Sequence, residues 1–366
     1  MKIIISKSEL VNGFETVLKA TASRTSVPAL AGVLISIEGE NISLFATDLE
    51  TSIKTTIPGI IEETGVVAVP GKIFSSIIRS LPESSVIIET QNELVNISCN
   101  QAHFTINSLN ASDFTRFPDI SGIEKISLPS GVLGSMVKKV SKAVSRDDTR
   151  AILTGILLTI DGEIVKMVAT DSYRLALIEK YLEQPAAEGF EVLVPGKAFE
   201  EVVKMVGSVE TIDMTITTNQ IMFSFGTTAY VTRRLEGNFP NYRQLIPKEW
   251  KARVTTAHQE FSDSVKRVSL LALNNTAIKI VCNLDDQQIN LSAKAQDVGN
   301  AEETLDVKVE GESQEISFNH SFIQDGLSVI DNEFVTLEIQ DAMKPGLLRS
   351  PEEGFTYLMM PVRATS

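Results

Sequence analysis

The sequence predicts an α+β protein that is built from three copies of one domain. Two observations indicate this fold class: a unit of about 122 residues recurs along the chain, and each copy combines alternating strand patterns with two helical patterns. Because alternating strands that are joined by short turns pair with their neighbours, we expect mostly antiparallel sheets.

The repeat is clearest between the first two copies. Residues 32–39 reappear as residues 155–162, and the sequence Val-Pro-Gly-Lys occurs at residues 69–72 and again at 194–197. A weaker third copy places residues 318–325 where the Val-Pro-Gly-Lys helix stands in the other two. Proline suits the entry to a helix, so each of these segments predicts a helix start.

These repeats predict three domains, at residues 1–122, 128–247 and 253–366. Within a domain, apolar residues alternate up to a glycine turn, as at Val33 and Ile35. This alternation is typical of a hairpin with one buried face.

The composition is that of an ordinary globular protein. Hydrophobic residues make up 43% of the chain and charged residues 22%, which argues against wholesale disorder. No segment approaches the roughly 20 consecutive apolar residues that span a bilayer, so we expect a cytoplasmic location. Cys99 and Cys282 form no CxxC pair, and we expect buried, reduced thiols rather than a disulfide or a metal site.

The residues that would indicate an enzyme are sparse. The three histidines, His103, His258 and His320, fall in no metal-binding spacing, and no nucleophile motif is present. Gly71 and Lys72 resemble the end of a phosphate-binding loop, but Ser or Thr does not follow. We therefore expect no catalytic residue, no metal and no cofactor.

Two aspartates occupy the same place in successive repeats. Asp48 and Asp171 both follow an Ala-Thr pair, which could be read as a carboxylate pair for catalysis. A duplicated position argues instead for a duplicated structural role, and we expect both aspartates to cap the turn at a strand end.

Positive charge is concentrated on the predicted helices. Residues 7–20, 71–80, 131–145, 196–206, 260–273 and 320–330 hold eleven Lys or Arg and seven Asp or Glu, although the chain has a net charge of -14. In the third helix, Lys138, Lys139 and Lys142 lie opposite an apolar stripe and predict a basic exposed face. The face could be an ordinary solvated one, but its recurrence suits contact with phosphates irrespective of sequence.

Four motifs carry a resemblance to a known family. They are residues 108–114, 169–176 (Ala-Thr-Asp-Ser-Tyr-Arg-Leu-Ala), 237–247 and 357–363 (Tyr-Leu-Met-Met-Pro-Val-Arg). With them the chain resembles, along its whole length, the β sliding clamp of bacterial DNA polymerase III. The resemblance implies a non-catalytic processivity factor of the holoenzyme. Two chains of three DNA-clamp domains would close head to tail into a ring, with two helices per domain lining the hole and the antiparallel sheets outside.

The resemblance also implies partners and sites. The ring would encircle double-stranded DNA without sequence specificity, and short peptides of the clamp loader, the replicative polymerase, and translesion and repair proteins would bind a groove. The groove residues would be Leu153, Thr170, Ser172, Tyr173, Arg174, Leu175, Pro240, Gln244, Leu245, Met343, Leu358, Met360, Pro361, Val362 and Arg363. The DNA-facing residues would be Arg24, Lys72, Arg79, Lys138, Lys139, Lys142, Arg146 and Lys197. The dimer interface would include Phe104, Leu270, Leu271, Glu302 and Glu303.

Some alternatives stay open at this point. Ser172 stands where the family commonly has glycine, and Gln244 where it can have arginine, which bears on the fine specificity of the groove. Leu175, Leu358 and Met360 could be ordinary core residues. The whole chain could also be a repeat-built structural or adhesion protein, or a hydrolase that uses the region of Asp171.

Overall fold

A computed structural model describes residues 1–22, 24–118, 120, 125–183, 189–272, 277–295, 298–350 and 354–363. The first repeat contains β1 (Lys2–Ser6), α1 (Lys7–Val17), β2 (Gly32–Glu38), β3 (Asn41–Thr47), β4 (Thr51–Ile57), β5 (Ile60–Glu63), β6 (Val66–Pro70), α2 (Gly71–Ser80), β7 (Ser85–Gln91), β8 (Leu94–Cys99) and β9 (Ala102–Asn107). The second contains β10 (Lys125–Pro129), α3 (Ser130–Val140), β11 (Gly155–Asp161), β12 (Ile164–Thr170), β13 (Arg174–Tyr181), β14 (Phe190–Pro195), α4 (Gly196–Met205), β15 (Thr211–Ile216), β16 (Gln220–Phe225) and β17 (Thr228–Arg233). The third contains β18 (Ala252–Ala257), α5 (His258–Ser269), β19 (Ala277–Asn283), β20 (Gln288–Ala295), β21 (Gly299–Asp306), β22 (Lys308–Gly311), β23 (Gln314–Asn319), α6 (His320–Leu327), β24 (Phe334–Ile339), β25 (Gly346–Ser350) and β26 (Phe355–Met359).

The same order of elements recurs three times, and this confirms the predicted α+β repeat. Each copy runs from one strand into a helix, through a set of strands into a second helix, and ends with three strands. The predicted domain ends at residues 122 and 366 lie outside the described residues, and the domain boundaries stay predictions.

The chain forms two compact units. The first comprises Met1–Ser130 and Glu201–Arg234, and the second Gly131–Glu200 and Leu235–Ser366. The first unit has a five-stranded sheet, β5-β1-β7-β8-β9, and an eight-stranded sheet, β10-β15-β16-β17-β4-β3-β2-β6. The second unit has a nine-stranded sheet, β14-β11-β12-β13-β26-β25-β24-β18-β22, and a four-stranded sheet, β21-β20-β19-β23.

Both long sheets are joined in the same way, at what we call the internal seams. In the first internal seam β4 pairs with β17, and in the second β13 pairs with β26, both antiparallel. In each seam, the third strand after the first helix of one repeat (β4 or β13) pairs with the last strand of the next repeat (β17 or β26). Strands β21 and β9 hold these two places in the remaining repeats, yet each stands at the edge of its own sheet.

The helices begin where local chemistry favours them. Ser6 caps α1 by accepting a 3.3 Å hydrogen bond from the backbone N–H of Glu9, and a glutamate three residues after a serine cap is a typical helix start. Helices α1 and α3 end earlier than predicted, because their last turns tighten into 3₁₀ helices at Leu18–Ala20 and Ser141–Ala143.

The alternating strands supply the cores. Val33 and Ile35 in β2 are fully buried, and so is Ile156 in β11. In the first repeat Phe14 of α1 stacks on Phe74 of α2 with ring centroids 4.6 Å apart. One face of each sheet is therefore covered by helices, as the period-two pattern predicts.

Candidate functional site

A duplicated turn lies just before β4 in the first internal seam and just before β13 in the second. In the second repeat, the carboxylate of Asp171 accepts hydrogen bonds from the backbone N–H groups of Tyr173 (2.9 Å) and Arg174 (3.0 Å). Asp48 accepts the corresponding bonds from Glu50 (3.0 Å) and Thr51 (2.7 Å). The prediction that these aspartates cap a strand-end turn is confirmed, because each carboxylate accepts hydrogen bonds from two backbone N–H groups of its own turn.

The middle of this turn has a left-handed backbone at a residue other than glycine. Ser172 has φ 81°, and Leu49, at the same place in the first repeat, has φ 77°. Such a backbone is unfavourable for a residue with a side chain, and the surrounding hydrogen bonds must hold it. At Ser172 the side chain adds one, because its hydroxyl accepts from Arg150 at 3.1 Å.

The turn stands beside the C-terminal strand in the second internal seam. Arg174 pairs with Met359 and Leu175 with Leu358, and the backbone N–H of Met360 donates to the carbonyl of Tyr173 at 2.8 Å. Residues from the motifs at 169–176 and 357–363, which lie far apart in the sequence, therefore become direct neighbours.

The floor of this region is a buried cluster. Leu175 and Leu358 are 1% and 2% exposed, and they pack with Leu157, Leu347 and other apolar side chains. The interpretation of Leu175 and Leu358 as core residues therefore holds in the structure. They can shape a groove from below, but an incoming ligand would meet other atoms first.

Five large apolar side chains of the predicted groove are exposed above this floor. They are Tyr173 (60%), Leu245 (49%), Met343 (64%), Met360 (38%) and Val362 (36%). Of the remaining groove residues, Leu153 and Thr170 are buried, Arg174 and Pro361 are half-buried, and Ser172, Pro240, Gln244 and Arg363 are exposed. An exposed apolar set of this size on one sheet end and its loops is typical of a protein-binding surface.

Arg174 is anchored rather than free at this surface. Its guanidinium donates to Asp171 at 2.9 Å, to Asp325 at 2.5 Å and to the hydroxyl of Tyr357 at 3.3 Å, and it stacks on Phe322 at 4.6 Å. Burial disfavours its charged form, but these oxygens outweigh burial and raise the pKa of Arg174 above its ordinary value. The guanidinium therefore stays charged and holds the turn through these hydrogen bonds.

A polar cavity of about 1000 Å³ adjoins the same turn. Its charged lining residues are five basic and five acidic ones: Lys142, Arg146, Arg150, Arg174 and Lys197, and Asp147, Asp148, Asp171, Glu200 and Asp325. This balance of charge distinguishes the cavity from the exposed apolar surface.

The first internal seam differs from the second at the positions of Tyr173 and Met360. The repeat places Glu50 and Arg233 where the second seam has Tyr173 and Met360, and the backbone bond between these positions recurs from Arg233 to Glu50 at 3.3 Å. The two side chains form a 3.6 Å ion pair. A charged pair in place of an aromatic ring and a methionine offers a ligand less apolar area to bury at these two positions.

The structure corrects one predicted DNA-facing residue. Lys139 is 4% exposed, because its ammonium group donates to the carbonyl of Val329 at 2.7 Å and to Asp331 at 3.4 Å and lies 5.6 Å from the ring of Phe355. The helical period had assigned it to the polar face, but the long side chain reaches a neighbouring helix end instead.

The other predicted DNA-facing residues are exposed. They are Arg24, Lys72, Arg79, Lys138, Lys142, Arg146 and Lys197. Lys138 forms an ion pair with Asp331 at 3.0 Å, and Arg79 with Glu15 at 3.0 Å. Because exposed pairs of this kind are weak and screened by salt, their cations can exchange partners with phosphates.

Three of the predicted dimer residues lie on the edge strands β9 and β21, and Leu270 and Leu271 directly follow α5. Phe104 on β9 is 37% exposed, and Leu270, just after α5, is 74% exposed. Leu271 is half-buried, Glu302 on β21 is exposed, and Glu303 is half-buried. Glu303 already has a basic partner within the chain, since Arg267 binds it in a bidentate pair at 2.5 and 3.0 Å.

No cluster of three or more His, Cys, Asp or Glu that could hold a metal ion occurs among the described residues. Cys99 and Cys282 are both buried and unpaired, and burial raises the pKa of the Cys282 thiol to about 12. None of the helices described is long and apolar enough to cross a membrane.

Comparison with known proteins gives one consistent result. Models of the N-terminal, central and C-terminal domains of the DNA polymerase III beta subunit match residues 1–118, 127–241 and 243–363. The beta sliding clamps of Bacillus subtilis (99% of this chain, 100% of the relative) and Staphylococcus aureus strain COL (99% of both) are each 32% identical to it. The crystal structure of the Bacillus subtilis DNA polymerase sliding clamp superimposes with a TM-score of 0.96 over 100% of both chains, at 32% identity. A Pseudomonas aeruginosa sliding clamp bound to griselimycin superimposes with a TM-score of 0.94 over 99% of both chains, at 25% identity. The chain, with its three clamp domains, therefore belongs to the DNA polymerase III beta subunit family, the β sliding clamps.

Proposed function

We propose that this chain is a DNA polymerase processivity factor that closes as a homodimeric ring around duplex DNA, slides along it and tethers polymerases. The observation that carries the proposal is the pattern of seams. Two internal seams join successive repeats, and the strands needed for a third, β9 in the first repeat and β21 in the third, each pair on one side only among the described residues.

A second copy can supply the missing pairing. Strand β9 is the last strand of the first repeat, as β17 and β26 are of the second and third. Strand β21 holds the place in the third repeat that β4 and β13 hold in the first and second. Because β9 and β21 belong to opposite ends of one chain, pairing between copies is head to tail, and a head-to-tail contact that closes gives a ring. Two chains would then contribute six domains, with proposed boundaries at 1–122, 128–247 and 253–366.

The side chains at these edges fit such a contact. Phe104 on β9 and Leu270 after α5 are exposed apolar residues, and we propose that they bury one another's area in the dimer together with Leu271. Glu302 and Glu303 would lie on the β21 side of the contact. Edge strands that are paired in an oligomer are also protected from indiscriminate association.

Enclosure accounts for DNA binding by an acidic protein. A ring retains DNA by topology, so its inner surface needs only weak contacts that do not stop sliding. We propose Arg24, Lys72, Arg79, Lys138, Lys142, Arg146 and Lys197 for these contacts. Lysine and arginine that meet phosphates without reading base edges bind irrespective of sequence.

The exposed apolar surface of the second internal seam is the proposed dock for partner peptides. Tyr173, Leu245, Met343, Met360 and Val362 offer area that a short extended segment can bury, and methionine adapts to different partners. We propose the clamp loader, the replicative polymerase, and translesion and repair proteins as the owners of such segments. The groove is also proposed to include the buried floor and the polar residues named with it above.

We further propose that the chain acts without catalysis, cofactor or metal, and in the cytoplasm together with its replication partners. The duplicated aspartates support the first part, since their carboxylates are used by backbone N–H groups of the turns. A hydrolase centred on Asp171 would need that carboxylate for substrate or water.

Retention on closed DNA tests the function. The protein is loaded by a clamp loader onto nicked circular DNA and separated from free protein by gel filtration. We expect it to stay with the circle and to leave after a single restriction cut makes the DNA linear. A protein that stays on linear DNA with open ends binds by affinity, and a protein that never stays on circles does not enclose DNA.

A further inference from the structure

The internal seams determine which residues would face each other in the proposed seam between copies, on which this inference rests. In the second internal seam Leu177 pairs with Thr356, and in the first Lys54 pairs with Ala229. These pairs occupy equivalent places in the two seams, because Thr356 directly precedes Tyr357 and Ala229 directly precedes Tyr230. The same register can therefore be carried to β21 and β9.

The position of Leu177 corresponds to Glu302 in the third repeat. Across the sheet of the second repeat the pairing runs from Leu177 through Val168 to Leu157. In the third repeat it runs from Glu302 through Ser292 to Lys279. Both rows continue into the strand that leads directly into the second helix of the repeat. They reach it at Leu193 in the second repeat and at Ser317 in the third, in each case two residues before the strand ends.

The position of Thr356 corresponds to His103 in the first repeat. In the third repeat the row runs from Thr356 through Arg349 and Thr336 to Thr255, which lies two residues before β18 ends. In the first repeat the row runs from His103 through Ser98 and Ile87 to Ile4, again two residues before the strand ends. The seam between copies thus sets His103 opposite Glu302.

Both side chains are available for this pairing. His103 and Glu302 are exposed, and each has a neutral neighbour in its own sheet: the His103 ring is 3.1 Å from the hydroxyl of Ser98, and Glu302 accepts from Asn290 at 2.7 Å. Residues directly opposite in an antiparallel pair have Cβ atoms about 4.5 to 5.5 Å apart, close enough for an imidazole to reach a carboxylate.

The other charged groups on the two sheet faces are more distant in the register. On the His103 face, Glu89 stands two strands away, beside Lys2 on β1. On the Glu302 face, Lys294 stands on β20 opposite Asn300, and Lys279 on β19 is paired with Glu315 at 2.7 Å. In this register Glu302 is therefore the acidic residue directly opposite the His103 ring.

We propose that closure of the ring is coupled to proton binding, because the imidazolium of His103 in one copy pairs with Glu302 of the second copy. Histidine changes its charge between about pH 8 and pH 5, while carboxylates stay ionised over most of that range. The carboxylate stabilises the imidazolium in the closed seam and not in the separate chains. Closure therefore takes up protons, and the dimer tightens as the pH falls toward 6.

The expected size of the effect is modest. An exposed ion pair contributes roughly 0.4 to 1 kcal/mol, a factor of about 2 to 5, and a ring contains two seams. The dimer dissociation constant should therefore be roughly 4- to 30-fold lower at about pH 6 than at about pH 8, and less so in high salt. Each chain carries a net charge of -14, so general proton uptake will add a background that controls must remove.

Analytical ultracentrifugation of the full chain at both pH values tests the coupling. We expect His103→Gln and Glu302→Gln to remove most of the pH dependence, and His103→Arg to give a dimer that is tight at both pH values. A pH dependence in His103→Gln that equals that of the wild type overturns the coupling while leaving the dimer intact. A chain that stays monomeric at every pH overturns the proposed ring as well.

Cross-linking tests the register separately from the titration. A chain with both His103→Cys and Glu302→Cys should form a disulfide-linked dimer on mild oxidation. The matched control, His103→Cys with Glu303→Cys, places the second thiol on the opposite face of β21 and should link far less. Equal linking of the two chains, or none in the first while the protein is dimeric, contradicts the register.

Discussion

Asp325 accepts a 2.5 Å hydrogen bond from the guanidinium of Arg174 and so ties helix α6 to the turn beside the exposed apolar surface. Glu201, at the same sixth position of α4, instead accepts a 3.0 Å bond from the hydroxyl of Tyr230 in the first internal seam. The repeat thus keeps an acidic helix residue at both seams. In the seam with the apolar surface, arginine replaces the Thr51 of the other.

Replacing Arg174 should destabilise the second unit. In Arg174→Gln the carboxylates of Asp171 and Asp325 lose a half-buried cation and its hydrogen bonds, which should lower the free energy of unfolding by about 1 to 3 kcal/mol. Urea unfolding followed by circular dichroism measures this. Arg243→Gln is the control, because Arg243 is exposed, and it should change the free energy by less than about 0.5 kcal/mol. Equal effects of the two changes would contradict a bracing role.

Peptide binding should depend on the exposed apolar residues rather than on the floor. Met360→Ala and Leu245→Ala should each weaken binding of a short extended peptide with two apolar anchor side chains by about 5- to 30-fold, since anchor contacts carry about 1 to 2 kcal/mol each. Calorimetric titration measures the affinity. Tyr181→Ala is the matched control: Tyr181 is 75% exposed at the opposite end of β13 and should have no effect. A loss of peptide affinity in Tyr181→Ala alone would show that the peptide binds elsewhere.

The floor responds to a different measurement. Leu175 is 1% exposed, so Leu175→Ala should lower the free energy of unfolding by about 2 to 5 kcal/mol, and an aspartate there would abolish folding of the unit rather than report on binding. Unchanged unfolding in Leu175→Ala would show that the buried cluster does not support the sheet.

Leu270 should stabilise the dimer and not the folded chain. Its side chain is 74% exposed, so Leu270→Ala should leave the unfolding of the chain within about 0.5 kcal/mol while weakening the dimer by at least about tenfold. Ile60→Ala is the control, because Ile60 is 63% exposed on β5, at the far edge of the sheet from β9. Sedimentation that gives equal dimer constants for both variants would exclude Leu270 from the seam.

Much of the fold could be predicted because the same sequence patterns occur in more than one repeat. The hairpin pattern at Val33 recurs at Ile156, and the turn at Asp48 recurs at Asp171, so each copy supports the interpretation of the other. What the repeat could not give was the pairing of strands between repeats. Sheet continuation from β4 to β17 joins residues that are far apart in sequence, and no local pattern records that.

The site was predicted less completely, for two physical reasons. Family motifs identified Leu175 and Met360 together, but only burial separates a floor residue from an exposed one. Helical periodicity assigned Lys139 to the exposed face, whereas its flexible side chain reaches Val329 and Asp331. The bracing role of Arg174 had no sequence signal, because its partner Asp325 lies in another repeat.

The three lysines of α3 and the 3₁₀ turn that follows it should separate into two functions. Lys138→Ala with Lys142→Ala should lower the salt dependence of DNA retention by a log–log slope of about 1 to 2, since each phosphate contact contributes about one. Lys139→Ala should leave that slope unchanged and lower the free energy of unfolding by about 1 to 3 kcal/mol, because it empties a buried ammonium site and leaves the Val329 carbonyl unpaired. A reduced slope in Lys139→Ala would contradict its burial.

Acid should remove the contribution of Asp331. The hydrogen bond from Lys138 and the charges of Lys139 and Lys138 hold the pKa of this carboxyl below its ordinary value of 3.8. A carboxyl whose pKa is depressed in the folded state stabilises that state fully above its unfolded pKa, and the contribution disappears as the pH falls through the folded pKa.

Asp331→Asn should therefore unfold more easily than the wild type between about pH 5 and pH 8, and the difference should shrink as the pH falls below 3.8 and vanish once the pH has fallen through the folded pKa. Its size should be at most about 1 kcal/mol, because the Asp331 side chain is 63% exposed and solvent screens the pair. Urea unfolding at a series of pH values measures the difference. Asp148→Asn provides an exposed carboxylate control and should follow the wild type throughout. A difference between Asp331→Asn and wild type that grows as the pH falls would reverse the sign of this linkage and contradict the ion pair with Lys138.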